Sequence, residues 1–193
     1  MHQPHRQYSA VILYLSLALL SGCSSYEGSI KPAESQDENS GMTVGSLEKP
    51  LLLVQNGQSA LTPESHVSSA YLGPVEWDNM GAISLALWVH LVPANDWQFD
   101  DIKAPGAVAL ALDGAGHALK LAQPPAATRG PYRPIASWGQ TAYFELDVDT
   151  LRRMAASHDI ELIFKAAGGT PVRFAAAPDA HETLERFLHA RGY

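Results

Sequence analysis

Two pairs of apolar runs, each meeting across a glycine-bearing turn, constrain this chain more than anything else in its sequence. Residues 107–112 (AVALAL) and 117–122 (HALKLA) flank Asp113-Gly114-Ala115-Gly116, and residues 160–166 (IELIFKA) and 171–176 (PVRFAA) flank Gly168-Gly169. Short branched and aromatic runs on either side of a glycine turn predict β-hairpins, because glycine supplies the positive φ that a tight turn needs. Along each strand the period of two sorts the side chains. Val108, Leu110 and Leu112 share a face while Ala107, Ala109 and Ala111 leave space for close packing; Ile160, Leu162 and Phe164 share a face, as do Val172 and Phe174.

Around those hairpins the rest of the domain falls into place. Residues 82–92 (AISLALWVHLV) stop at Pro93 and predict a central strand buried on both faces. Residues 142–146 (AYFEL) alternate as a strand, and residues 51–54 before Asn56-Gly57 predict a first one. Residues 58–80 mix Ser, Pro and Gly around Tyr71, Leu72 and Trp77 and predict loop with at most one edge strand. A helix near 149–157 is expected behind an Asp147 or Asp149 N-cap, with Leu151, Met154 and Ala155 at helical spacing. A second, near 179–191, is expected from the Asp179/Glu182 capping pair, the stripe of Leu184, Phe187 and Leu188, Arg191 at the negative dipole end and Gly192 as terminator. The sum is an α+β fold: a largely antiparallel sheet of about five to seven strands with two helices, in one globular domain spanning 51–193.

The N-terminal part reads differently. Arg6 precedes an apolar run, Ala10 to Leu20, which is about half the roughly 20 residues a spanning helix requires. The run leads into Leu20-Ser21-Gly22-Cys23, and Cys23 is the chain's one cysteine, so no intrachain disulfide is available. This layout is that of a secretory signal, residues 1–22. Leu, a small residue, Gly and Cys in this register resemble the lipobox of the bacterial lipoprotein class. The resemblance implies cleavage before Cys23, a diacylglycerol thioether on its sulfur and a further acyl chain, such as palmitate, on its freed amine. Two or three chains make a lasting anchor where one does not. Ser24, where an Asp would signal retention, resembles the outer-membrane default of that class. From Ser24 to about Pro50 the chain is rich in Ser, Gly, Glu and Asp, so residues 23–50 are expected to be the lipidated cysteine and a flexible tether.

Candidate chemistry is sparse. His90 with Asp96, Asp100 and Asp101 could make a base or a metal site, yet the spacing matches no metal class, and a strand histidine beside a solvated acidic loop explains them as well. Ser84 and Ser137 lack a nucleophile elbow. Asp113 and Gly114 lack the later oxygen ligands of a calcium loop, Asp147 and Asp149 are accounted for by helix capping, and Gly168-Gly169 lacks a phosphate-loop context. Neither a metal nor a cofactor is expected. Trp77, Trp88, Trp97 and Trp138 with Tyr132 and Tyr143 could furnish a recognition patch, although core packing accounts for most tryptophans. Tyr132, Arg133 and Trp138, in the Pro-rich connection of 123–134 and just beyond it, are the best binding candidates.

With a net charge of −7 and thirteen scattered Lys and Arg, nucleic acid is excluded as a natural partner. The expected function is therefore that of a lipid-anchored envelope protein with a non-catalytic binding, structural or assembly domain facing the periplasm, partnered by the membrane and by an envelope protein. The alternative is an envelope hydrolase using His90 or His117 with a neighbouring acid.

Overall fold

A computed structural model describes residues 30–55, 68–93, 101–126, 128–165 and 171–193. Among these, ten strands form one antiparallel sheet: β1 (Pro32–Gln36), β2 (Thr43–Leu47), β3 (Leu51–Gln55), β4 (Ser69–Asn79), β5 (Ala82–Val92), β6 (Val108–Leu112), β7 (Ala115–Ala118), β8 (Gln140–Glu145), β9 (Ile160–Lys165) and β10 (Pro171–Ala176). Two helices accompany them, α1 (Val148–Ala156) and α2 (Ala180–Ala190). The fold is α+β, as expected, with more strands than the five to seven anticipated.

The additional strands lie where composition concealed them. The expected tether, 23–50, is corrected from residue 32 onward. There β1 and β2 pair in full register, Pro32 opposite Leu47 and Gln36 opposite Thr43, and Val44 and Leu47 are buried. Polar residues dominate this hairpin because Asp37 builds its turn, its Oδ1 accepting the amides of Asn39 and Ser40 at 3.0 and 2.9 Å. The loop expected over 58–80 is corrected from residue 69 onward, because residues 69–79 form β4, the long strand that pairs with β2, β3 and β5, while 58–67 lie outside the described residues. Gly73-Pro74 at its centre reads as a breaker. Yet β3 pairs with residues 69–72 and β2 with 76–78, so Pro74 falls in the gap between them, where its missing N–H interrupts no ladder on that edge.

The hydrogen bonding closes on itself. Past β7 the chain leaves β6 and joins β8: Leu119 N–H donates to Val108 O, then Glu145 N–H donates to Lys120 O at 2.8 Å, Ala122 N–H donates to Tyr143 O at 2.9 Å, and Leu121 bridges Phe144. The neighbours therefore run β4, β3, β10, β9, β6 and β7, then residues 120–122 in continuation of β7 meet β8, which pairs with β5 and so returns to β4, an eight-stranded ring with β1 and β2 extending beyond it. An eight-stranded ring is just wide enough for side chains to fill. Leu53, Leu72, Leu87, Leu110, Phe144, Leu162 and Phe174 do so from a single face, none more than 2% exposed. Both predicted hairpins form, the first with different bounds: Leu112 pairs with Ala115 across Asp113-Gly114, both at positive φ (47° and 82°), so the turn expected over 113–116 shortens to two residues and the partner strand is Ala115–Ala118 where 117–122 was expected; β9 pairs with β10, while Gly168-Gly169 lies outside the described residues. Asn56-Gly57 lies outside them too.

Strand direction puts both helices at one mouth of the ring. β4, β6, β8 and β10 end there and β3 and β9 begin there, so α1, joining β8 to β9, and α2, following β10, close that mouth with Leu151, Met154, Leu184 and Phe187 buried. Of the two expected caps, Asp147 serves α1, accepting from Thr150 N–H, and Asp149 lies in the first turn. Asp179 does not cap α2 with its side chain, because its φ of −88° and ψ of 3° are not the extended geometry an N-cap carboxylate uses. Among the described residues no helix is long and apolar enough to cross a membrane.

Candidate functional site

The other face of β4, β5 and β8 carries Tyr71, Gly73, Trp88, His90, Thr141 and Tyr143, and the connection between β7 and β8 runs across it like a strap. Tyr132 is the rivet. Its ring lies 5.1 Å from that of Trp88 and packs so closely on Gly73 that a Cβ there would sit 2.5 Å from it. The Tyr132 hydroxyl donates to Pro74 O at 3.0 Å and accepts from Leu47 N–H at 2.9 Å, joining strap, β4 and β2. Burial raises its pKa well above the ordinary phenol value. Further along, Arg129 N–H donates to Asp37 Oδ2 at 2.6 Å. That bond, followed by those from Ser40 and Asn39, holds the Asp37 carboxyl below the usual carboxylate range.

The expected patch of Tyr132, Arg133 and Trp138 divides. Tyr132 is 6% exposed with its hydroxyl fully used, so it positions the strap and offers nothing outward. Arg133 and Trp138 are exposed, Trp138 at 68%, and Ile135 joins them at 55%. Their presentation follows from chain geometry, because Tyr132 and Ala136 point in and the residues around them point out. Ile135 is an addition to the expected patch; its place directly after Pro134, in a Pro-rich connection that cannot continue a strand, was the available signal. Trp77 and Trp88 belong to the core, and Trp97 lies outside the described residues.

His90 is fully buried and structural. Ala136 N–H donates to its Nε2 at 3.4 Å, which leaves Nδ1 as the protonated nitrogen, 2.8 Å from Thr141 Oγ1. Trp88 stacks on it at 5.6 Å, and Gly139 lets the strap backbone lie against it. The expected partners Asp96 and Asp100 lie outside the described residues, and Asp101 Oδ1 instead accepts from Lys103 N–H at 2.9 Å. Burial lowers the pKa of His90. A neutral imidazole in the folded state and an ordinary one in the unfolded chain make stability complete above about pH 6.5, and acidification through that value destabilises by up to about 1.4 kcal/mol per pH unit. Denaturant melts between pH 7.5 and 5 should show this slope for the native protein and a shallower one for His90→Gln. Equal slopes would remove His90 as the cause.

His117 lines a groove of about 360 Å³ between β7 and α1, with Lys120, Glu145, Asp147 and Arg153. Its Nε2 is 3.5 Å from Arg153 Nη1, and Asp147 is engaged as the α1 cap. Ser84 and Ser137 are exposed, and among the described residues no hydrogen bond joins either to a histidine. Asp113 is a turn residue whose Oδ1 accepts from the amides of His158 and Asp159, both at 3.1 Å. Among the described residues no three metal-ligating side chains converge, and no ion pair joins a histidine to a carboxylate. Cys23 lies outside the described residues. Compared with known proteins, the chain matches no family model, no curated protein and no solved structure.

Proposed function

We propose that this chain is an envelope lipoprotein, anchored through acyl groups on Cys23, probing its surroundings with the outer surface of a filled barrel. The observation that carries this reading is the register of Leu20-Ser21-Gly22-Cys23 at the end of a short apolar run, which suits lipidation and falls short of a span. The domain behind it works by docking to an envelope protein facing the periplasm, with the outer membrane as its address. The filled interior of the ring supports this by leaving recognition to the surface, and the strap exposes an aromatic, an aliphatic and a guanidinium within one short stretch in Trp138, Ile135 and Arg133.

Mass spectrometry of the native protein tests the anchor. The mature form should begin at Cys23 with a diacylglycerol thioether, and Cys23→Ala should move the protein from the membrane fraction to the aqueous one. An unmodified sulfur would sink the reading. Trp138→Ala tests the docking surface: with the ring largely in solvent, stability should change by no more than about 0.5 kcal/mol. Crosslinking to an envelope protein in intact cells should nevertheless fall severalfold. Unchanged crosslinking would place docking elsewhere.

The hydrolase alternative rests on His117 with Glu145 and Asp147 in one groove. The Arg153 guanidinium beside the imidazole and the capping duty of Asp147 both work against a general base there.

A further inference from the structure

The described part of the chain opens at Ile30, and Ile30 is itself one wall of an apolar groove. Its other walls include Leu52 and Val54 of β3, Ala177 and Pro178 beyond β10, and Thr183 of α2, around a volume of about 360 Å³. Leu52 is 43% exposed, so the groove is open to solvent and partly unfilled. Only seven Cα steps separate Ile30 from Cys23, and whatever path they follow they reach at most about 25 Å. Anything attached to Cys23 is thus confined near this groove, at an effective concentration that a free ligand rarely attains.

Resting on the lipoprotein reading, we propose that this groove shelters an acyl chain of the protein's own Cys23 anchor whenever the protein is out of a bilayer. The occupant is saturated hydrocarbon held intramolecularly. The groove's walls favour it because each methylene leaves water for apolar side chains, which is the same effect that seats the chain in a membrane. A bilayer surface suits the groove less well. Asp179 lies on its rim and the chain carries a net charge of −7, so anionic headgroups are repelled, whereas a hydrocarbon chain bears no charge.

The test uses the full acylated chain from cells fed a C16 fatty acid bearing a terminal diazirine, irradiated either after detergent depletion or in phosphatidylcholine vesicles. Peptide mapping after detergent depletion should place crosslinks on residues 51–54 and 175–183, within one chain when isotopically labelled and unlabelled copies are mixed. The crosslinks should vanish in vesicles. Leu52→Asp, at a half-exposed position, should lower their yield roughly tenfold, because an acyl chain laid against a carboxylate loses on the order of 1.4 kcal/mol. Ala177→Trp, which fills the groove from an exposed position, should do the same, and unchanged thermal melts would exclude misfolding as the reason. Crosslinks elsewhere, crosslinks between copies, or yields indifferent to both substitutions would overturn the groove proposal while leaving an acylated Cys23 intact. A Cys23 without acyl chains would overturn both.

Discussion

Replacing Arg191 with alanine is expected to lower the stability of the domain by about 3 kcal/mol, or roughly 6–12 °C in midpoint temperature for a domain of this size. Arg191 stands just past α2, and its guanidinium bonds Glu34 of β1 and Glu76 of β4 together, Nε meeting Glu76 Oε1 at 2.8 Å. Glu76 is 2% exposed and also accepts from the Tyr193 hydroxyl. The effect is large because of what the substitution leaves behind: a carboxylate sealed from water with its cation gone costs more than the intact pair contributes. Glu76→Gln removes the charge while keeping the shape. In that background Arg191→Ala should cost only about 1 kcal/mol, the value of an ordinary hydrogen bond. Denaturant melts of the four proteins read the difference, and equal costs in both backgrounds would show that the buried charge is not responsible. The cluster also has a mechanical meaning, since β1 is the first described strand after Cys23 and Arg191 ties it to the helix that closes the barrel mouth.

That cluster marks where the sequence was legible and where it was not. The hairpins at Asp113-Gly114 and around 160–176 could be read because local rules suffice for them: alternation sets the faces and glycine sets the turn. Helix α1 was legible for the same reason, its cap lying three residues from the amide it serves. Strand β4 was not, because Gly73 and Pro74 signal a break unless one knows that two different strands meet beside them and that an aromatic ring needs the space. Residues 32–47 resembled a tether because their polar side chains build a turn and a bond to Arg129, 92 positions away. Arg191 was read as a helix-dipole residue, and its real partners lie 115 and 157 positions upstream. The binding candidates divided on similar grounds. Composition indicated that the Pro-rich connection was aromatic, but only the burial of Tyr132 and Ala136 against β4 and β5, with residues 133–135 and 137–138 left outside, separates Tyr132 from Trp138.

Tyr132 leads to the second large effect. Tyr132→Ala should destabilise the domain by about 4 kcal/mol, since it empties an aromatic site and orphans two backbone groups in one step. Tyr132→Phe keeps the ring and should cost about 2 kcal/mol, the penalty of leaving Leu47 N–H and Pro74 O without their partner. Gly73 supplies the sharper test. With Tyr132 present, Gly73→Ala drives a methyl into the phenol ring from 2.5 Å and should cost about 2–3 kcal/mol, because neither β4 nor the strap can retreat without breaking other bonds. With Tyr132→Ala the methyl enters the vacated space, and the same substitution should be close to neutral or mildly stabilising. A coupling of about 2 kcal/mol or more between the two sites is therefore the expected signature of a strap riveted to the barrel wall. Additive costs would mean that the ring does not rest on Gly73. The strap would then be a passive connection, and Arg133, Ile135 and Trp138 would lose the rigid mount that makes them a surface another protein could recognise.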